Sequence, residues 1–359
     1  MKLRTFSDIL EIRSGRNQKD VLNPNGKYPI LGSAGKVMGY SDKFICEENT
    51  TIIGRKGTIN NPMLIREKFW NVDTAFGLHA LNELDKKYLF YFCQSFDFTK
   101  LDKGSGRPSL VKSDLLKIKM YCPEIDEQKQ IVKILDTAFE TIEKAKTNLE
   151  KNLKNTKELF DSKLNEIFSQ KGEGWEEKTL GEVCIYEKTK NIKKLPYIGL
   201  EDIVSNKGVF IGSYENHEVK STTFYFTSDH LLYGRLRPYL NKVFMPDFEG
   251  HCSTEIFPIR VKNIVVREFL FYWFISSNVV QRINATCTGA RMPRANMNEV
   301  LKFKLFIPNI TIQKSIIIEI IKLDKQTKQL EQKYQQKLNN LEELKKSLLQ
   351  KAFSGELTK

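Results

Sequence analysis

The sequence lacks the features of membrane-spanning, secreted and zinc-binding proteins. No apolar run approaches the roughly 20 residues of a membrane span, and no signal-peptide core follows residues 1–4. The six cysteines are scattered without a CxxC pair, and the four histidines stand apart at positions 79, 217, 230 and 251. These absences predict a cytoplasmic protein with free, mostly buried thiols, no zinc site and no membrane partner.

Motifs of catalysis are also missing. The 11 prolines include no Pro-Pro, which the Asn/Asp-Pro-Pro-Tyr/Phe pocket of a DNA methyltransferase requires. GxxxxGK[ST], GxGxxG and GxSxG are absent, so the common phosphate-binding, dinucleotide-binding and hydrolase motifs are excluded. Glu176-Glu177-Lys178 has the residue types of a metal nuclease, but it lies beside a linker. The sequence therefore predicts no catalytic residue, no metal site and no bound cofactor, although distant residues can also assemble an active site.

Two stretches lack glycine and proline and therefore predict long helices. The first begins after Pro123 and the second after Pro308, and each continues for more than 40 residues. A shift of 185 positions superimposes the two stretches without a gap, so that Gln128 falls on Gln313. The chain thus contains two copies of one unit.

Both predicted helices carry apolar residues in the sevenfold repeat of a coiled coil. In the first helix one row contains Ile131, Ala138, Ala145, Asn152 and Leu159. The residues predicted to form the coiled-coil seam or to contact a partner are Leu135, Ile142, Leu149, Leu159, Ile316, Ile320, Leu323, Leu330, Tyr334, Leu341, Leu344 and Leu348. We expect the two helices to pair antiparallel within the chain, because a helix of roughly 70 Å is marginal alone in water. The alternative is that each helix pairs with another chain.

The net charge of +13 is unevenly distributed. Residues 1–123 hold 20 basic and 13 acidic side chains, and residues 175–308 hold 18 and 14. The intervening residues 124–174 hold 9 and 11, whereas residues 309–359 hold 10 and 6. An excess of lysine and arginine in both blocks between the helices favours a polyanionic partner, most often nucleic acid.

These two blocks predict mixed α/β domains. In the first block we expect strands at residues 28–32, 50–53, 70–81 and 115–122 and a buried helix at residues 86–94, for which a strand is the alternative. The second block repeats this order with loops of different length. The predicted fold class is α+β, with two similar mixed α/β domains separated by two long antiparallel helices that form a coiled coil, in a pseudo-twofold internal repeat. The predicted boundaries are 1–123 and 172–308 for the domains and 124–171 and 309–359 for the helices.

Arginine and lysine on loops can bind guanine edges or phosphates. The candidate DNA-binding residues are Arg55, Lys56, Arg107, Arg235, Arg237, Arg291 and Arg294. The alternative for each residue is a solvated or salt-bridged surface charge.

The chain resembles the specificity subunits of type I restriction-modification systems, the HsdS family. The resemblance rests on the helices that open after Cys122-Pro123 and Ile307-Pro308 with Gln-Lys close behind, on Gly-Arg-Leu-Arg-Pro-Tyr-Leu at 234–240, and on the ending at 348–357. The duplicated layout supports it over almost the full length. In the first half, Gly54-Arg55-Lys56-Gly57-Thr58 replaces the Arg-Leu-Arg-Pro form.

This resemblance implies that 1–123 and 172–308 are target-recognition domains, each reading one half of a split, asymmetric double-stranded DNA sequence. It implies that the coiled coil fixes the gap between the halves and docks two modification (methyltransferase) subunits, to which restriction subunits add ATP-driven cleavage. S-adenosylmethionine, ATP and Mg are then expected on the partner subunits, with no active site in this chain. The alternative is a coiled-coil scaffold whose basic domains bind RNA or acidic proteins. A nuclease or methylase that acts alone is a third hypothesis.

Overall fold

The computed structural model of the protein describes residues 2–102, 106–191, 193–289 and 291–357. These residues form two compact units. The first unit comprises Met1–Glu150 and Gln335–Lys359, and the second comprises Lys151–Tyr334. Each unit therefore combines a globular domain with one segment from each of two long helices. Lys103, Gly104 and Ser105, part of a loop between the predicted helix and the last predicted strand of the first domain, lie outside the described residues.

The first unit begins with a short strand and helix and ends with a long helix. Its elements are β1 (Leu3–Thr5), α1 (Phe6–Ile9), β2 (Leu10–Ser14), β3 (Tyr28–Leu31), β4 (Val37–Ser41), β5 (Thr50–Gly54), β6 (Met63–Ile65), β7 (Trp70–Asn71), β8 (Ala75–Ala80), α2 (Lys86–Ser95), α3 (Lys112–Leu115), β9 (Lys119–Tyr121) and α4 (Ile125–Ser169). The last 19 residues of α4 belong to the second unit.

The second unit repeats this order with additional short strands. Its elements are β10 (Glu176–Thr179), α5 (Leu180–Val183), β11 (Cys184–Tyr186), β12 (Leu195–Ile198), β13 (Ile203–Val204), β14 (Val209–Phe210), β15 (Asn216–His217), β16 (Thr223–Phe226), β17 (His230–Gly234), β18 (Val243–Phe244), β19 (Gly250–Ser253), β20 (Ile256–Val261), α6 (Arg267–Ile275), α7 (Ser277–Ala285), α8 (Met297–Val300), β21 (Lys304–Ile307) and α9 (Ile310–Ser354). The end of α9, from Gln335, belongs to the first unit.

Both domains contain the same two sheets. The antiparallel order β2-β8-β5-β6 in the first unit corresponds to β11-β20-β17-β18 in the second. The order β4-β3-β7 corresponds to β15-β12-β19, to which the second unit adds β16, and the pairs β3 with β7 and β12 with β19 run parallel. These shared orders confirm the predicted mixed α/β class and the internal repeat.

Each domain is anchored on the long helices by a continuous apolar core. In the first unit Phe6, Tyr88 and Phe98 share a core with Leu135 of α4 and Ala352 of α9. In the second unit the aromatic residues of α6 pack in a core with the last turns of α4 and the first turns of α9. Helices of this length gain most of their stability from such packing. The aromatic clusters of α2 and α6 are therefore core residues, as predicted from the sequence.

The two helix segments of the first unit run antiparallel. Lys146 Nζ lies 2.9 Å from Glu342 Oε1, and Lys345 Nζ lies 3.8 Å from Glu143 Oε1. As the position along α4 falls, the position of its partner along α9 rises. The predicted antiparallel pair is confirmed, and it forms within one chain.

The predicted seam residues differ in burial. Leu135, Ile142 and Ile320 are buried, whereas Leu159, Leu330 and Leu344 are 59%, 40% and 47% exposed. The half-buried seam residues are Leu149, Ile316, Leu323, Tyr334, Leu341 and Leu348. Exposed leucines on the helix surface are free to contact another protein.

Two predicted strands are wrong in extent. The strand predicted at 70–81 is broken into β7 and β8, because Ala75 N donates to Val72 O at 2.9 Å in a turn. The strand predicted at 115–122 is reduced to β9, because the chain first forms α3, in which Leu116 N donates to Lys112 O at 3.1 Å. Across the described residues, no helix is long and apolar enough to cross a membrane.

Candidate nucleic-acid interface

In the first unit, two loops lie side by side at the end of β5. Leu110 N donates to Arg55 O at 2.8 Å, and Gly57 N donates to Pro108 O at 2.8 Å. Arg55 N donates to Thr74 O, in the turn between β7 and β8, at 2.8 Å. Residues 54–58 and 106–110, called here the first loop pair, are thus held by their backbones rather than by their side chains.

The first loop pair brings together the three cations predicted in this domain. The Arg55 guanidinium lies 5.7 Å from the centroid of the Phe76 ring, and its Nη1 donates to Asp73 O at 3.4 Å. Lys56 is exposed. Arg107 is also exposed and covers Gly57, where a Cβ would lie 2.8 Å from Arg107 Nη2. Gly57 has a φ of +84°, so this position suits glycine on both conformational and steric grounds.

The second unit contains the same frame at the end of β17. Ala295 N donates to Arg235 O at 2.9 Å, Arg237 N donates to Pro293 O at 2.8 Å, and Arg235 N donates to Glu255 O at 2.9 Å. Residues 234–238 and 291–295 form this second loop pair. Arg237 occupies the place of Gly57 and also has a positive φ, of 50°. The two loops are therefore equivalent although their sequences differ.

Two arginines of the second loop pair share one carboxylate. Arg235 Nε donates to Glu255 Oε2 at 2.9 Å, and Arg294 Nε donates to Glu255 Oε1 at 2.9 Å. The three side chains are 34%, 38% and 22% exposed for Arg235, Arg294 and Glu255. Burial opposes ionisation of Glu255, but the hydrogen bonds from Arg294 and Arg235 outweigh it and lower the pKa of this carboxyl. Glu255 therefore stays ionised at neutral pH.

The other two predicted cations of this domain project freely. Arg237 and Arg291 are exposed. Among the residues that the structure describes, neither guanidinium has a hydrogen-bond or ion-pair partner. Free guanidinium groups at a loop surface can bind phosphate oxygens or base edges.

Sequence reasoning missed Glu255. Its only sequence signal was its position in the turn before β20, directly after Ser253-Thr254. Thr74 occupies the place of Glu255, so the first loop pair has no equivalent carboxylate. Arg55 is consequently held less firmly than Arg235. Within the described ranges no three His, Cys, Asp or Glu residues are grouped to hold a metal ion.

Comparison with known proteins gives one consistent family. Residues 1–155 and 172–340 match the family model described as the type I restriction modification DNA specificity domain. The chain is 25% identical over 397 residues to the EcoDI specificity subunit of Escherichia coli, which covers 98% of this chain and 88% of that subunit. It is also 25% identical to the MjaVIII specificity subunit of Methanocaldococcus jannaschii, with 88% and 85% covered.

Solved structures share the fold at 15% identity. A chain of a type I R-M system has a TM-score of 0.81, with 99% of this chain and 98% of that chain covered. The HsdS subunit from Thermoanaerobacter tengcongensis has a TM-score of 0.60, with 99% and 97% covered. The resemblance indicated by the sequence motifs is confirmed, and the chain belongs to the family of type I restriction-modification specificity subunits.

Proposed function

We propose that this chain is the non-catalytic DNA-sequence-specificity subunit of a type I restriction-modification complex. The domains at 1–123 and 172–308 each bind one half of a bipartite, asymmetric double-stranded DNA target, and the paired helices set the gap between the halves. The observation that carries the proposal is the repeated loop frame. The two domains share one backbone frame but, apart from Arg55 and Arg235, carry their cationic side chains at different positions in it.

This frame supports an asymmetric target. Its hydrogen bonds run between backbone atoms, so side chains at its surface can change without refolding the loops. Lys56 of the first domain corresponds to Leu236, and Ser109 corresponds to Arg294, through the matching bridges of the two loop pairs. Because base edges are read by side chains, two domains with one frame and different side chains are suited to two different half-sites.

The charge distribution supports DNA as the partner. Arg107, Arg237 and Arg291 are exposed at the loop pairs. Such cations gain affinity by displacing counterions from the DNA backbone. In this proposal they contact phosphates and hold each domain in register on its half-site.

The helices provide a surface for protein partners. In the first unit an open, mainly apolar groove of about 550 Å³ is lined by Ile134 and Ala138 of α4 and by Leu344 and Leu348 of α9. We propose that the helices dock two modification subunits, and that restriction subunits join this assembly. In this proposal the partner subunits bind S-adenosylmethionine, ATP and Mg, and this chain binds no cofactor of its own.

Methylome sequencing tests the proposal. The chain is co-expressed with the modification subunit from the same host, and genomic adenines are mapped for N6 methylation. We expect methylation in a bipartite motif that disappears when this chain is removed. Methylation that is unchanged without this chain would contradict the proposal. The family match does not favour the alternative of a coiled-coil scaffold. If the purified complex bound RNA or acidic protein instead of DNA, that result would support the scaffold alternative.

A domain exchange tests the division between the two halves. Residues 1–123 are replaced by the first domain of another family member, and the methylome is mapped again. We expect one half of the motif to change and the other half, with the gap, to persist. A change in both halves would show that the two domains do not read the DNA independently. It would also contradict the proposed domain boundaries.

A further inference from the structure

The two arginines of the second loop pair that bind the Glu255 carboxylate, Arg294 and Arg235, are held to different extents. Arg294 uses all three of its nitrogens within the domain. Its Nε and Nη2 each lie 2.9 Å from Glu255 Oε1, and its Nη1 donates to Met292 O at 3.4 Å. Each nitrogen of Arg294 is therefore engaged within the domain, and Glu255 occupies the whole Nε–Nη2 edge of this guanidinium.

Arg235 is held differently. Among its side-chain atoms only Nε is hydrogen-bonded within the described residues, to Glu255 Oε2 at 2.9 Å. Its guanidinium also lies 5.5 Å from the centroid of the Phe257 ring, which supports one face. Within the described residues, the two Nη groups of Arg235 therefore have no hydrogen-bond partner. The guanidinium itself is fixed at its Nε by Glu255 and on one face by Phe257.

This arrangement matches what reading a guanine requires. A guanine presents O6 and N7 as neighbouring acceptors in the major groove, and an arginine fork donates to both. Recognition of this kind depends on side chains whose rotamers are locked by supporting hydrogen bonds. A phosphate makes weaker demands on orientation, because its oxygens can be approached from many directions.

We propose that Arg235 reads a guanine in the half-site bound by residues 172–308, and that Glu255 and Arg294 are positioning residues for Arg235. This inference rests on the proposed function and extends it to one specificity-determining residue. Arg294, predicted from the sequence to contact DNA, acts here through Glu255. The first domain lacks this device, since Thr74 and Ser109 occupy the places of Glu255 and Arg294.

The test uses the full chain in complex with its modification subunit and DNA duplexes that carry the methylome-derived motif. Affinity is measured for the motif and for duplexes in which each G·C pair of either half-site is replaced in turn, over a series of salt concentrations. For Arg235→Lys we expect a roughly 10- to 100-fold loss of discrimination at one G·C pair of the second half-site. Glu255→Gln should lose about 10-fold at the same pair, because a neutral amide holds both arginines less firmly.

Arg294→Gln provides a second route, since it loosens the cluster without removing the Glu255 charge. It should reduce discrimination at the same pair, and all three variants should leave the first half-site unchanged. A matched control is Glu187→Gln, which breaks another Glu–Arg pair, with Arg260, near the opposite end of β17. Melting temperatures identify any variant that fails to fold.

Three results would overturn the inference. One is a second half-site without a G·C pair. Another is an unchanged preference in folded Glu255→Gln and Arg294→Gln complexes. The third is an Arg235→Gln variant, which removes the charge, whose affinity falls equally on all duplexes with a salt slope reduced by about one; that result identifies a phosphate contact. Failure of the wild-type complex to bind any bipartite duplex would instead refute the proposed function itself.

Discussion

Gln128 and Gln313 form the same three hydrogen bonds, each within its own compact unit. Gln128 Oε1 accepts from Asp85 N at 2.8 Å, and its Nε2 donates to Glu83 O at 2.9 Å and to Pro123 O at 2.8 Å. Gln313 Oε1 accepts from Val266 N at 2.8 Å, and its Nε2 donates to Ile264 O at 2.9 Å and Pro308 O at 2.8 Å. Both side chains are fully buried. Each glutamine therefore ties the start of a long helix to the loop before α2 or α6.

We expect Gln313→Leu to destabilise the second unit. Leucine has a similar size but leaves Val266 N and two carbonyls buried without partners, at about 1–3 kcal/mol for each unsatisfied group. Gln128→Leu should act in the same way on the first unit. Chemical denaturation followed by circular dichroism measures the loss, with the exposed neighbour Lys314→Leu as the control. Equal stability of Gln313→Leu and wild type would show that this buried bond set contributes little.

His230 gives the second domain a dependence on pH. Burial lowers the pKa of His230 below its usual 6.5, although a hydrogen bond with Glu187 acts in the opposite direction. Arg260, which pairs with Glu187, also lowers the pKa of His230. Just below pH 6.5, His230 is therefore protonated more readily in the unfolded chain than in the folded domain. The stabilisation is present above pH 6.5 and is lost as the pH falls below it towards the folded pKa.

We expect the melting temperature of the second unit to fall between pH 7 and pH 5 more steeply in the wild type than in His230→Gln. His79, whose pKa burial also lowers, remains in both proteins and cancels in the comparison. Parallel pH profiles for the two proteins would contradict this assignment.

Arg291 and Arg237 should contribute affinity rather than sequence preference. Both are exposed, and the described part of the chain gives neither side chain a partner. Arg291→Gln should weaken binding to all duplexes about equally and reduce the slope of log affinity against log salt by about one. Fluorescence anisotropy of the complex measures both quantities. Lys302→Gln, which removes a surface charge paired with Glu299, is the control. A loss confined to one base pair would reassign Arg291 to base reading.

Sequence periodicity predicted the helices well because their signals are long. Forty-five residues without glycine or proline define α4 and α9, and the run rich in Tyr, Phe and Leu at 86–94 marks the buried helix α2. Short-range events broke the strand predictions, since one turn of three residues separates β7 from β8. Glu255 escaped prediction because a single acidic residue in a turn has no pattern, and its importance arises only when Arg235 and Arg294 converge on it.

The seam shows a limit of counting in sevens. A straight α-helix drifts by about 20° for each heptad, so four heptads rotate a row by roughly 80°. Ile131 at the start of one predicted row is buried, whereas Leu159, four heptads later, is 59% exposed. The row is therefore buried where it begins, in the first unit, and exposed where it ends, in the second unit.

The seam residues of α4, which were predicted to act together, therefore have two separate roles. Leu135 is fully buried in the core of the first unit, so Leu135→Ala should cost about 2–5 kcal/mol of unfolding free energy. Leu159→Ala, at an exposed site of the second unit, should change stability by less than about 0.5 kcal/mol. We expect Leu159→Ala instead to weaken binding of the modification subunit, by more than about 1 kcal/mol where leucine anchors the interface.

Denaturation of the isolated chain and calorimetric titration with the modification subunit distinguish the two roles. Lys157→Ala, on the same exposed stretch of α4, controls for a general change of that surface. If Leu159→Ala lowers stability as much as Leu135→Ala, then Leu159 stabilises the folded chain in spite of its exposure, and the assignment of separate roles is wrong. If it changes neither quantity, the exposed end of the row serves neither the fold nor the partner, and docking must use other surfaces such as the groove at Ile134 and Leu344.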